Sequence, residues 1–215
     1  MRKHASRPFT LIEMIAVMGV IILLSAVAIP AYSSLFSGRK TTLAASQLNA
    51  AVMEARAHAV SAKVYTALVF VLEKDGKGYK SFRMAEVTKG SGTRSFNWRR
   101  WVPDTALEFL PDNTMIPKTN ADIGITTKGE EATAGSSTLP TVSTLPSGFL
   151  YSGNSSNAIV FHPNGQLAGT VNNNIVVRFV EANRYEAMNG SGTPRLPLNI
   201  SWLTCKAKFM EPVTK

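Results

Sequence analysis

The sequence predicts an α+β fold, with one long N-terminal helix, partly transmembrane, packed on antiparallel β-sheets. Three observations predict it. Phe9 to Ile29 form a 21-residue apolar run with a single charge, Glu13. Farther on, Ala44, Leu48, Ala51, Ala55 and Ala59 recur at spacings of 4, 3, 4 and 4, the pattern of one helix face. From Val64 onward, about eight short segments of strand character alternate with Gly- and Asn-rich turns, and no second long helical pattern occurs.

The apolar run comes first. As a helix, Phe9 to Ile29 spans about 31 Å, the thickness of a bilayer core of about 30 Å. Arg2, Lys3 and Arg7 precede it. That asymmetry keeps the N-terminus cytoplasmic and sends the remainder across the membrane. Three readings fit the segment. It is a plain anchor, a signal peptide cut after Ala28 in the A-x-A site Ala26-Val27-Ala28, or a leader cut before the apolar run. Glu13 separates them. An ionisable side chain inside a membrane costs about 2.5–3.5 kcal/mol on insertion scales, so it marks a function. Neither a discarded signal nor a plain anchor uses it. A carboxylate facing a free amine on a neighbouring helix does.

The stretch "RPFTLIEMIAVMGVIILLSAVAIPAY", Arg7 to Tyr32, resembles the N-terminal signal of type IV pilins and type II secretion pseudopilins. The resemblance implies a pilin-like fold and cleavage between Pro8 and Phe9 by a prepilin peptidase. It also implies N-methylation of Phe9, and Glu13 at the fifth position of the mature chain. Pro30 falls where the family carries a helix-kinking proline. The family has Gly before the cut, whereas this chain has Pro8, which lacks an N–H and fixes φ. In this reading Glu13 attracts the Phe9 amine of an adjacent subunit. The pairing relieves two charges in apolar surroundings and sets the axial register. The implied partners are other pilin or pseudopilin subunits, the peptidase and an inner-membrane assembly platform. The implied location is the bacterial inner membrane, single-pass with the globular part periplasmic, and then a filament.

The chain therefore divides into a leader over 1–8, a transmembrane assembly helix over 9–30, an amphipathic helix over 31–63 and a β-rich domain over 64–215. Pro30 and Ser37-Gly38 are natural bend points in the helix. Gln47, Glu54 and His58 fall away from the alanine stripe, which puts His58 on the exposed face. "VYTALVFVLE", Val64 to Glu73, is apolar on both alternating faces and reads as a strand covered on both sides. "KDGKG" and "TKGSGT" are turns around the strand "YKSFRMAEV", and "RSFNWRRWV" follows as another strand. "AIVFHPNGQLAGTV" reads as a hairpin, "NIVVRFV" and "RYEAM" as a strand pair, and "LNISWLTCKAKF" as the last strand. From 118 to 148 the composition turns to Thr, Ser, Gly and Pro, which predicts a long exposed loop. The helix, "IVFHPNGQL" and the late "VVRFV" together resemble the GspH/FimT branch of minor pseudopilins.

Several function classes find no support in the residues. No phosphate-binding loop occurs, and "KGSGTR" and "NGSGTPR" neither follow a strand nor open a helix. No catalytic set emerges, so no enzyme is expected and no cofactor is required. His4, His58 and His162 are far apart and the only cysteine is Cys205, so no metal site is expected. Cys205 sits in a strand-like segment and reads as a buried structural thiol. The net charge is +9, diffuse along the chain. Nucleic acid is the alternative partner. Arg94, Arg99 and Arg100 interleave with Phe96, Trp98 and Trp101, a composition that binds single strands. Strict alternation, however, places Trp98 with Arg100 and Arg99 with Trp101, on opposite faces. Arg195 in "GTPR" is the lone basic residue where DNA-uptake minor pilins of this branch carry an arginine-rich motif. The alternatives to a filament subunit are thus a DNA-binding minor pilin and a secreted binding domain released after Ala28.

Overall fold

The computed structural model describes residues 11–119, 122–126, 138–150, 153–170, 173–190, 193–201 and 204–209, with the side chains of 27–38 and 209 outside the description. The chain forms two units, Met1–Arg39 and Lys40–Lys215. In chain order the elements are α1 (Leu11–Ala62), β1 (Tyr65–Leu72), β2 (Gly78–Lys89), β3 (Ser95–Trp101), β4 (Glu108–Phe109), β5 (Thr114–Pro117), β6 (Ile123–Thr126), β7 (Thr141–Ser143), β8 (Ser156–Phe161), β9 (Asn174–Glu181), α2 (Ala182–Ala187), β10 (Leu196–Ile200) and β11 (Ala207–Phe209). The fold is α+β.

In the second unit, the part of α1 from Lys40 onward lies on the sheets. All five residues of the alanine stripe are buried, and Ala45 and Val52 widen it. Small side chains let the helix axis approach the strands closely. They share one core with Leu68 and Phe70 of β1, Phe82 and Met84 of β2, and Ile159 and Phe161 of β8. The helix ends at Ala62, where Lys63 takes a left-handed φ of 57°.

Five strands close a ring. β1 pairs with β2 and β8, β2 with β3, β3 with β7, and β7 with β8. Its interior holds Ala67, Val69, Ala85, Val87, Phe96, Val142, Ala158 and Val160. A ring this narrow leaves room for little besides Ala and Val, so one bulky ring, Phe96, suffices at its centre. β1 is therefore apolar on both faces because both are covered, one by the ring interior and one by the helix-side core. One pairing departs from the expected antiparallel arrangement, since β3 and β7 run parallel.

A second sheet grows from the start of β2. Gly78 and Tyr79 pair with Pro117 and Ile116 of β5, which pairs with the end of β9. A Cβ on Gly78 would lie 2.9 Å from the Ile116 carbonyl oxygen, so the junction admits no side chain there. β9 also pairs with β6 and β10, and β10 with β11. Ile116, Ile123, Ile125, Ile175, Val177, Phe179, Leu198 and Ile200 join the helix-side core.

Three expectations are corrected. The segment 118–148, expected as a loop, contains β6 and β7. Ile123 and Ile125 alternate against β9, but two isoleucines among Thr and Gly are too short a signal to stand out. "RYEAM", expected as a strand, lies largely in α2. The chain leaves β9 at Glu181, where Asn113 takes over as partner. Its carbonyl accepts from the Ala182 N–H at 2.9 Å and its side-chain oxygen from the Asn183 N–H at 2.8 Å. The strands number eleven among the described residues, against about eight expected.

The close helix–sheet contact yields a prediction. Ala55→Leu inserts three carbons into a fully buried position and should cost about 1–3 kcal/mol by overpacking. Ala57→Leu, on the exposed face of the same helix, should stay within about 0.5 kcal/mol. Urea melts of the two variants beside the parent protein check the difference. Equal midpoints would show that the stripe does not set the packing distance.

Candidate functional site

Among the described side chains from Leu11 to Ala26, the helix of the first unit has no polar face. Leu11, Ile12, Ile15, Met18, Ile22, Leu23 and Leu24 are all more than half exposed, and they point in every direction around the axis. A helix that is apolar all round needs apolar surroundings, whether lipid or other helices. Glu13 is the exception. It sits in the first turn of α1 and is exposed. A carboxylate in the first turn is favoured by the helix dipole. Pro8 and Phe9 lie outside the described residues. Pro30 falls within the bounds of α1 and its side chain lies outside the description, as do those of Ser37 and Gly38. The described apolar side chains, Leu11 to Ala26, cover about 24 Å of helix. Among the described residues no helix is long and apolar enough to cross a membrane.

In the second unit, three side chains of α1 tie it to the sheets. Gln47 Nε2 donates to the Phe109 carbonyl at 3.1 Å and to Glu108 Oε2 at 3.3 Å. Arg56 donates through Nε to the Gly165 carbonyl at 3.0 Å and through Nη1 to the Thr204 carbonyl. Gly165 has φ 84°, and a Cβ there would sit 3.0 Å from Val60, so the turn docks on the helix only as glycine. Cys205 also donates its thiol to the Gly165 carbonyl, at 3.1 Å. It is fully buried, and burial pushes its pKa up, as befits a structural thiol.

The third tie is His58, which is not on an open face as expected. Its Nε2 lies 3.4 Å from Glu86 Oε1. Glu86 is 1% exposed and accepts two hydrogen bonds of 2.8 Å from Arg100, through Nε and Nη2. Arg99 Nη1 stands 3.9 Å from the same carboxylate. The Arg100 hydrogen bonds hold the Glu86 carboxyl below its ordinary 4.5, against the opposing pull of burial. This cluster escaped the sequence reading. The available signal was a lone Glu at a core-facing position of "YKSFRMAEV", one strand away from Arg99-Arg100.

A β-bulge produces the cluster. Glu86 stands opposite Arg100 and Val87 opposite Trp98, so Arg99 has no residue across from it. Strict alternation fails at that point. Trp98 and Trp101 come to the same face, with ring centroids 5.9 Å apart, and pack against the ring core. Arg99 and Arg100 both turn to Glu86. Arg99 and Arg100 are therefore sorted apart from Trp98 and Trp101. Arg195 is also committed. Its Nε lies 2.7 Å from Oδ1 of buried Asp122, and Thr119 donates to the other oxygen at 2.6 Å. Among the described residues no group of three or more His, Cys, Asp or Glu is placed to hold a metal ion.

No protein-family model and no curated protein sequence matches this chain. Two solved structures are similar to it. One is the minor pseudopilin EpsH from the type 2 secretion system of Vibrio cholerae, at 8% identity and a TM-score of 0.42, over 80% of this chain and 96% of that one. The other is the type IV minor pilin FimU of Pseudomonas aeruginosa, at 15% identity and a TM-score of 0.41, over 82% of this chain and 92% of that one.

The Glu86 cluster sets an acid limit. A carboxyl whose folded pKa lies below its unfolded value contributes stability that is fully present above the unfolded value of 4.5. That stability disappears as the pH falls through the lower, folded value. Melting temperatures measured from pH 7 down to pH 2.5 should therefore drop below about pH 4.5 in the parent. They should drop less steeply in Glu86→Gln, which has no charge to lose. Parallel curves would mean that other carboxyls dominate acid unfolding.

Proposed function

We propose that this chain is a structural subunit, a minor pilin or pseudopilin, of a type II secretion or type IV pilus-like filament. The observation that carries the reading is Glu13, the one charge in a helical segment otherwise apolar on all sides, set in the motif "RPFTLIE". The prepilin peptidase cuts between Pro8 and Phe9 and methylates the new Phe9 amine. Before assembly, Phe9 to Ile29 span the inner membrane and the β-rich domain stands in the periplasm. During assembly the apolar surface of the segment exchanges lipid for the helices of other subunits, drawn out by the assembly platform. Glu13 then takes the Phe9 amine of its neighbour as partner, and the helix bends at Pro30 to follow the filament.

Two tests follow. N-terminal mass spectrometry of membrane-recovered protein should find a methylated Phe9 at the start. A start at Ile29 would instead indicate release by signal peptidase, and an intact Met1 would mean that Pro8 blocks the cut. The second test is Glu13→Val. Losing the carboxylate lowers the insertion cost by about 2.5–3.5 kcal/mol, the scale for a charged Asp. In the filament the same change leaves a Phe9 amine buried without a partner, at about 3–5 kcal/mol. The variant should accumulate in the inner membrane and be missing from sheared filaments and from crosslinked subunit ladders. Incorporation at the parent level would remove the register role of Glu13.

A further inference from the structure

We infer that a cleft beside the junction of the ring and the second sheet binds a small hydroxylated carboxylate, the chemistry of a sugar acid. The strand pairing builds it. Tyr79 of β2 pairs with Leu72 of β1 on one side and with Ile116 of β5 on the other, which brings Lys118 close. Across from them β1 parts from β8, whose ladder ends at Val69 and Ala158. Beyond that point the Ser156 hydroxyl donates to the Phe70 carbonyl in place of a ladder bond. The opening holds about 230 Å³. A cavity of about 150 Å³ accepts benzene, so there is room for one six-membered ring with substituents. Leu72 and Leu150 give its carbon skeleton an apolar wall.

The polar lining is rich in unspent donors. Tyr79 is 2% exposed, and its hydroxyl accepts from Asn157 Nδ2 at 3.0 Å. Burial raises the pKa of the phenol, so its proton stays on at neutral pH. That proton has no acceptor among the described residues, and a buried donor left unpaired is costly. The Lys118 ammonium has no carboxylate partner among the described residues, and neither Asp nor Glu lines the cleft. One cation beside neutral donors matches a single negative charge, which a carboxylate carries. A phosphate group brings about −1.5 to −2 and leaves part of its charge unmatched. The Ser155 hydroxyl and the Asn157 amide oxygen, also on the lining, meet hydroxyl groups on the ligand body. The inference does not depend on assembly into a filament.

The test uses the full chain in a polyoxyethylene detergent and reads binding by ligand-observed NMR. The probes are D-glucuronate, its methyl glycoside and D-glucose. Glucuronate should bind, and glucose, which has the ring without the charge, should bind about tenfold more weakly or worse. Lys118→Gln should weaken glucuronate by about tenfold, and Lys118→Arg should recover part of the loss. Tyr79→Phe, which deletes only the hydroxyl, should weaken it as well. The melting temperature of Lys118→Gln should equal that of the parent, because the side chain it replaces is exposed. Binding of the methyl glycoside alongside glucuronate assigns the cleft to the end of a glycan, and binding of glucuronate alone assigns it to the free acid. No binding of glucuronate, equal binding of glucose, or an unchanged affinity in Lys118→Gln overturns the inference.

Discussion

An odd number of strands cannot close into a ring through antiparallel pairs alone, because directions that alternate around five positions clash at the closure. Here the clash is resolved between β3 and β7, the single parallel pair among the described residues. A parallel pair needs a long crossover connection. That connection runs from Val102 to Pro140, and it carries β4, β5 and β6. Two strands of the second sheet, β5 and β6, are thus supplied by the connection that the ring's closure requires, and β9, β10 and β11 follow the ring's last strand to complete it. α1 then covers both sheets with one stripe of small residues, and a single core joins them.

Periodicity and motif made part of this legible. The alanine stripe is a local pattern, and the burial of all five residues follows from it. "VYTALVFVLE" shows no polar face, and its strand has two cores. The motif around Phe9 and Glu13 is also local, so its meaning is carried by residue order alone. What stayed hidden depends on pairing between distant segments. The bulge at Arg99 exists only relative to β2, so alternation along β3 by itself sorted Trp98 and Trp101 to opposite faces. β6 and β7 are strands because β9, β3 and β8 offer them edges, while their own composition is that of a loop. α2 starts where Asn113, seventy residues earlier, replaces a ladder partner.

Carboxylates mark three environments in this chain. Glu13 is exposed on an apolar helix at its dipole-favoured end. Glu86 is buried between helix and sheet and shared by His58 of α1 and Arg100 of β3. Asp122 is buried at the edge of the second sheet and paired with Arg195. Buried Arg178 lies close enough to feel both, and its pKa is lowered by burial despite the attraction of Asp122. The two buried carboxylates hold pieces of chain that are distant in sequence. Their cations, Arg100 and Arg195, are held in turn.

The pairing of β1 with β8 sets Thr66 opposite Phe161. As the chain emerges from the ribosome or the export channel, β1 comes out early, and its second neighbour, β8, is complete only at Phe161, after β2 to β7 have been released. Until then a strand greasy on both sides has an open edge, the form that recruits a foreign strand. Non-local closure of this kind is slow. A nascent molecule held apart from its siblings during that interval would be spared mispairing, which gives any tether at the N-terminus a value that precedes its part in assembly.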